Sequence, residues 1–129
     1  MRPPASDYVT LAEVLELTRP FEEFEAAAQA MARRLEAEGI QELVMLQLHA
    51  RPGSTEVGVV LIFSDRRRVM QHIQMISGWD EFQQFARTIK LAHMRVYGKL
   101  SPEAEAWVRQ FNSSNAITQF DTHVAGFVR

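Results

Sequence analysis

The closing segment "FDTHVAGFVR" (120–129) holds an Asp-x-His, Asp121 and His123. On an extended strand this spacing puts a carboxylate and an imidazole on one face, the arrangement an acid–base pair or a metal site requires. A metal needs three or four convergent ligands, and the neighbouring positions supply only these two. No His-x-x-x-His or Glu-x-x-His accompanies them. Cysteine is absent, which removes thiolate nucleophiles, disulfides, iron–sulfur clusters and the usual structural zinc sites. No metal is therefore expected, and Asp121 and His123 read as side chains on the last strand of a sheet.

Three other histidines are present: His49, His72 and His93. If 43–50 and 91–98 are strands, alternation divides each into two faces. Val44, Leu46, Leu48 and Ala50 oppose Leu43, Met45, Gln47 and His49. Ala92, Met94, Val96 and Gly98 oppose Leu91, His93, Arg95 and Tyr97. One face of the sheet is uniformly apolar and belongs under helices. The other mixes apolar residues with Gln47, His49, His93, Arg95, Tyr97 and His123. Two readings follow for the mixed face: a wet interface with a second subunit, or a ligand site in which His93, Arg95 and Tyr97 stabilise an anion or enolate. Polar residues on an outer sheet face are commonplace, which favours the interface.

Arg66, Arg67 and Arg68 form the basic run of the chain. At a helix start such a run raises the prospect of a phosphate site. But there is no Gly-rich loop, and adjacent side chains splay around a helix, so the run reads as a solvated face. No aromatics interleave with it, and the formal charge of −2 gives no general attraction to polyanions, so nucleic acid is not an expected partner. No catalytic serine signature, P-loop or dinucleotide fingerprint appears, and no cofactor is expected. The start, "MRPPASDYVT", lacks the apolar run of a secretory signal or anchor, and no stretch reaches the roughly 20 apolar residues of a spanning helix. No membrane partner is expected, and the cytoplasm is the simplest compartment.

The elements that must position these residues can be read from periodicity. The 129 residues suit a single domain over 1–129. "YVTLAEVLEL" (8–17) is rich in strand formers, but Ala12, Glu13 and Glu16 leave it between strand and short helix. Phe21, Phe24, Ala28, Met31 and Leu35 trace the stripe of a helix over 20–38. Thr18 is placed to cap it, Pro20 to open it, and Gly39 to end it in a left-handed conformation. "QELVMLQLHA" and "TEVGVVLIFSD" form a hairpin around "RPGS". A helix capped by Ser64 or Asp65 runs through "RRRVMQHIQMIS", breaks at Gly78, and resumes with Phe82, Phe85 and Ile89, spanning 66–89 in two pieces. "KLAHMRVYGKL" is a strand, "SPEAEAWVRQF" (101–111) a helix, "NSSN" (112–115) a polar turn, and "AITQFDTHVAGFV" the last strand.

With 8–17 as a strand, the first hundred residues spell strand–helix–strand–strand–helix–strand, the ferredoxin-like order in an α+β protein with its antiparallel sheet covered on one face by helices. An extra C-terminal helix and strand follow. The pattern resembles the dimeric α/β-barrel superfamily, in particular its antibiotic-biosynthesis-monooxygenase-like domains. The resemblance is carried by "LELTRPFEEFEAAAQAMARRLEAEG", the hairpin "LVMLQLHARPGSTEVGVVLIFSD" and the broken helix "VMQHIQMISGWDEFQQF", and covers roughly 8–98. It implies a homodimer, and a cavity in each monomer lined by the broken helix, which gives His72 more weight than its place beside an apolar stripe alone would.

Two site expectations result. Gly78 lets the broken helix open space against the strands near Trp79, with Phe82, Phe85, Met70 and Met75 as adaptable walls and His72 as a polar handle. Taken as a plain packing residue, Trp79 is simply a large core or lid side chain. The competing site is His93, Arg95 and Tyr97 on the other face. Met45, Val60, Ile62, Leu91, Ile117 and Phe127 supply apolar area for a dimer through that mixed face. The reading is a homodimeric small-molecule binding or interaction module with a small apolar or aromatic ligand. The alternative, permitted by the resemblance, is a cofactor-independent enzyme of the oxygenase, cyclase or isomerase kind. No motif decides between them.

Overall fold

Five strands and four helices are present in the computed structural model, which describes residues 3–110 and 117–129. In chain order they are β1 (Val9–Leu17), α1 (Phe21–Glu38), β2 (Leu43–Ala50), β3 (Glu56–Phe63), α2 (Val69–Ser77), α3 (Asp80–Ala86), β4 (Ile89–Tyr97), α4 (Pro102–Arg109) and β5 (Ile117–Phe120). Residues 8–17 are therefore strand, and the sheet order β2-β3-β1-β4-β5 is the ferredoxin-like one with a strand added at its edge. β1 pairs antiparallel with β3 and β4, while β5 adds parallel to β4. A parallel neighbour needs a crossover, and α4 supplies it.

The inner face carries Val9, Leu11 and Leu15 of β1, Val57, Val59 and Phe63 of β3, and Leu91, Met94 and Val96 of β4, all buried. Phe24 and Ala28 of α1, Val69 and Ile73 of α2, and Ala104 and Val108 of α4 join them in one core. A second cluster, Met31, Leu35, Ile76 and Trp79, closes the layer where α1 meets the break between α2 and α3. There the Arg34 guanidinium lies 4.2 Å from the centroid of the Trp79 ring and donates to Glu81 at 2.8 Å. It is also paired with Glu38 at 3.2 Å. The hydrogen bond from Arg34 holds the Glu81 carboxyl below its usual range.

Several local expectations are corrected. The register of β1 against β4 shifts between Val14 and Leu15, so that Val14 faces His93 and Leu15 faces Leu91. The extra residue, Ala92, is a bulge that returns Leu91 to the inner face instead of leaving it beside His93. Ile117 pairs with Met94 and so lies on the inner face too. The last strand stops at Phe120, so Asp121 and His123 are not on it, and Phe127 is an exposed residue beyond the sheet. Of the apolar residues expected on the outer face, Met45, Val60 and Ile62 are there.

Thr18 does not cap α1. Its hydroxyl donates to the Arg87 carbonyl at 3.1 Å and its N–H to the Thr88 carbonyl at 2.9 Å, tying the end of β1 to the start of β4. The position before α1 is Pro20, with no side-chain cap. Gly39 has φ −71°, not a left-handed value. A Cβ there would lie 2.4 Å from the Leu35 carbonyl oxygen, so glycine is required by close approach. Ile89 opens β4 instead of closing α3, and α4 ends at Arg109. Asp65 does cap the 3-10 turn Arg66–Arg68, accepting from the Arg67 N–H at 2.9 Å, and Ser101 caps α4 from Ala104 at 3.1 Å. The turn expected at 112–115 and Phe111 lie outside the described residues.

Gly98, which ends β4, has φ +125°, and a Cβ there would lie 2.9 Å from Cγ2 of Val9, a side chain with no exposure. Neither the backbone nor the neighbour can yield cheaply. Gly98→Ala should cost about 2–4 kcal/mol, a fall in melting temperature of roughly 10 °C by circular dichroism. An unchanged melting temperature would contradict this packing.

Candidate functional site

Between the sheet and the broken helix lies a void of about 140 Å³. Its floor is the inner face: Leu11 and Leu15 of β1, Leu46 and Leu48 of β2, Val59 and Leu61 of β3, Leu91 and Met94 of β4. Its roof is Ala28, Met31 and Leu35 of α1, His72, Ile73 and Ile76 of α2, Phe82 and Phe85 of α3, with Leu100, Trp107 and Val108 closing the C-terminal side. The break at Gly78 creates the room. α2 ends at Ser77 and α3 restarts at Asp80, so two short helices and not one long one cover this part of the sheet.

Two titratable side chains line this void, Glu13 and His72. Glu13 sits at the middle of the central strand, where alternation with Val9, Leu11 and Leu15 turns it inward. Its carboxyl is surrounded by protein yet keeps partial exposure, because what it faces is the void and not a packed side chain. Among the described residues no hydrogen bond or charge offsets its burial, and desolvation raises its pKa from 4.5 to about 7. His72 is 5% exposed and meets the Phe63 ring edge-on at 5.2 Å. Its Nδ1 is buried without a partner among the described residues, and burial lowers its pKa from 6.5 to about 4. At neutral pH the void thus holds a neutral imidazole and a carboxyl poised at its own pKa.

The expected site residues separate. His72, Phe82 and Phe85 line the void. Phe82 packs 5.7 Å from Trp107 and Phe85 5.9 Å from Phe24, ring centre to ring centre. Trp79 is 7% exposed but belongs to the cluster under Arg34, and Met70 and Met75 pack beside the two cores; none of the three is on the void wall. His93, Arg95 and Tyr97 share the outer face of β4, across the sheet from the void. Tyr97 stacks on Phe120 of β5 at 5.3 Å, with 9° between the rings. His49 is exposed at the end of β2. Asp121 and His123 lie beyond β5, and no group of three metal-ligating side chains occurs among the described residues. Glu13 was not singled out by residue type or motif. Its signal is one of register: once 8–17 is a strand, a glutamate falls between Leu11 and Leu15 on the apolar face.

No family model matches the sequence, and no curated protein matches it significantly. Solved structures do match in fold. MupZ from Pseudomonas fluorescens superposes with a TM-score of 0.67, covering 95% of this chain and 94% of that one at 15% identity. SnoaB from Streptomyces nogalater, described as a cofactor-independent oxygenase, gives 0.61 over 74% of this chain and 95% of its own at 11% identity. A putative antibiotic biosynthesis monooxygenase from Caulobacter crescentus gives 0.52 over 70% and 86% at 15% identity. The fold is accordingly the ferredoxin-like one, shared with these proteins, as the element order implied. The match to MupZ is long enough to take in the C-terminal helix and strand.

The two shifts make opposite contributions to stability. Glu13, with its folded pKa raised, contributes stability that is complete below pH 4.5 and is lost as pH rises through about 7. His72, with its folded pKa lowered, contributes stability present above pH 6.5 and lost as pH falls through about 4. Glu13→Gln keeps the shape and removes the charge. It should therefore match the parent near pH 4.5 and exceed it at pH 8 by up to about 3 kcal/mol in urea unfolding. Equal stability of the two proteins at pH 8 would mean that the carboxylate is not desolvated.

Proposed function

We propose that this protein is a homodimeric small-molecule binding module that takes a small apolar or aromatic molecule into the void beneath its sheet. The observation that carries the reading is the void itself, walled by aliphatic and aromatic side chains with only Glu13 and His72 as titratable groups. A ligand that fills it removes apolar wall from water, which is worth roughly 25 cal/mol per Å² buried. Cavities of roughly 150 Å³ with similar walls hold a single benzene-sized molecule, which sets the scale of the ligand.

The dimer is supported by the outer face. Met45, Val60 and Ile62 share it with Ala12 and Val14 of β1 and with the Tyr97–Phe120 stack. The sheet architecture is also shared with proteins of the dimeric α/β-barrel class. A second reading, a cofactor-independent enzyme of the oxygenase, cyclase or isomerase kind, is favoured by Glu13, an unpartnered carboxyl facing an apolar void. SnoaB, of similar fold, is described as a cofactor-independent oxygenase.

Binding can be measured with phenol, toluene and cyclohexanone by thermal shift and ligand-observed magnetic resonance. Ala28→Leu, which grows a branched side chain into the void, should abolish binding, while His93→Ala and Tyr97→Phe leave it unchanged. The reverse pattern would move the site to the outer face. For the dimer, light scattering should give a mass near twice the monomer. Ile62→Asp should shift it toward the monomer, because an unpaired charge would be buried at the interface. A monomeric parent at micromolar concentration would refute the dimer.

A further inference from the structure

Burial of one carboxyl and one neutral imidazole in the same apolar chamber is a chemical combination as well as a binding feature. Among the described residues, none donates a hydrogen bond to Glu13 or sets a cation against it. A carboxylate stripped of water in this way is a stronger base than one in solution, and its protonated form is the one the site prefers. His72 stays uncharged across the neutral range. A neutral imidazole offers one N–H as a hydrogen-bond donor without placing a second full charge in the void. Leu11 and Leu15 flank Glu13 on β1, while Phe82 and Phe85 face it from the helical layer, so a molecule held there has apolar walls on both sides.

We infer that Glu13 and His72 form a proton-transfer site that acts on a small uncharged carbonyl compound: Glu13 removes a proton from the carbon next to the carbonyl, and His72 donates a hydrogen bond to the oxygen. The inference rests on the reading that the void binds a small apolar molecule, and it names the substrate class. In the forward step a C–H bond breaks and an O–H bond forms on the Glu13 carboxylate. The C–H electron pair moves into the carbonyl and becomes the enolate. Returning the proton to the same carbon gives exchange. Returning it to the far carbon of an unsaturated ketone relocates the double bond. No oxidant, reductant or cofactor enters the balance.

The electrostatics favour this direction of charge flow. Before the step the void holds one negative charge on Glu13, and after it one negative charge on the enolate oxygen. The chamber never carries two charges: the one charge passes from the carboxylate to the enolate oxygen, where a hydrogen bond from His72 is the contact that stabilises it. A cyclic ketone is the natural probe. Cyclohexanone is close in size to the benzene-sized molecules that voids of this volume accept.

The test is hydrogen–deuterium exchange of the α-protons of cyclohexanone in heavy water, followed by magnetic resonance with the whole chain, alongside binding of the same ketone. Exchange should be accelerated by the protein and should rise with pH through about 7, as the Glu13 carboxylate forms. Glu13→Gln should bind cyclohexanone and lose the acceleration by about 100-fold or more. His72→Phe should bind it and lose a smaller part. Isomerisation of cyclohex-3-enone to its conjugated isomer should follow the same order of variants. Binding without accelerated exchange, or a Glu13→Gln variant as fast as the parent, would overturn the proton-transfer site and leave the binding reading standing. Absence of cyclohexanone binding would overturn both. Glu13→Gln is expected to be at least as stable as the parent, so a loss of exchange in it is not a loss of fold.

Discussion

β1 is hydrogen-bonded on both sides, and that double pairing governs the molecule. Its register runs from Val9 to Glu16 against β3 and across nearly the same span against β4. A slip of one residue would expose Val9, Leu11 and Leu15 and turn Thr10 and Glu16 inward. Burying three such apolar side chains is worth about 1.5–3 kcal/mol each. Bringing in one carboxyl, held neutral, costs less than their sum. Glu13 is thus carried to the inner face by its neighbours, and the void above it keeps its burial incomplete. The central strand makes the site unavoidable once the core is formed.

The helical layer meets this constraint by being broken. An unbroken helix over 69–86 would lie flat on the strands and fill the space above Glu13. Instead α2 and α3 meet at Gly78, and the junction is held from outside by α1, through Arg34 over Trp79 and its bonds to Glu81 and Glu38. Such partly exposed ion pairs add little individually. Their place is geometric: they tie α1 to the junction where α2 ends and α3 begins.

Much of this could be read from residue types, and what could not has identifiable causes. The stripe Phe21, Phe24, Ala28, Met31 and Leu35 marked α1 because helical spacing is a long-range pattern that survives local exceptions. The paired runs around Pro52 and Gly53 marked the β2–β3 hairpin in the same way, and the break at Gly78 was legible from glycine between two apolar periodicities. Leu91 was placed on the wrong face because one inserted residue, Ala92, breaks the alternation, and a bulge has no signature in a single strand's sequence. Ile117 went wrong with it, since its face depends on pairing with β4. Phe82 and Phe85 came from helix periodicity and His72 from the cavity that the family resemblance implied, whereas Trp79, one residue past the break, falls outside that periodicity and lies under Arg34. Glu13 was hidden for the opposite reason. A glutamate in an ambiguous strand reads as evidence against burial until the strand itself is established.

The two tryptophans of the chain, Trp79 and Trp107, fall on different sides of this design. Trp107 borders the void and lies against Phe82, while Trp79 is sealed beneath a guanidinium away from it. Their emission therefore reports the void from two depths. One indole senses what occupies the chamber, and the other senses whether the seam between α1 and the broken helix is intact. A molecule entering the void would meet the first indole directly and reach the second only through Met31, Leu35 and Ile76, the side chains that wall the void and pack on Trp79.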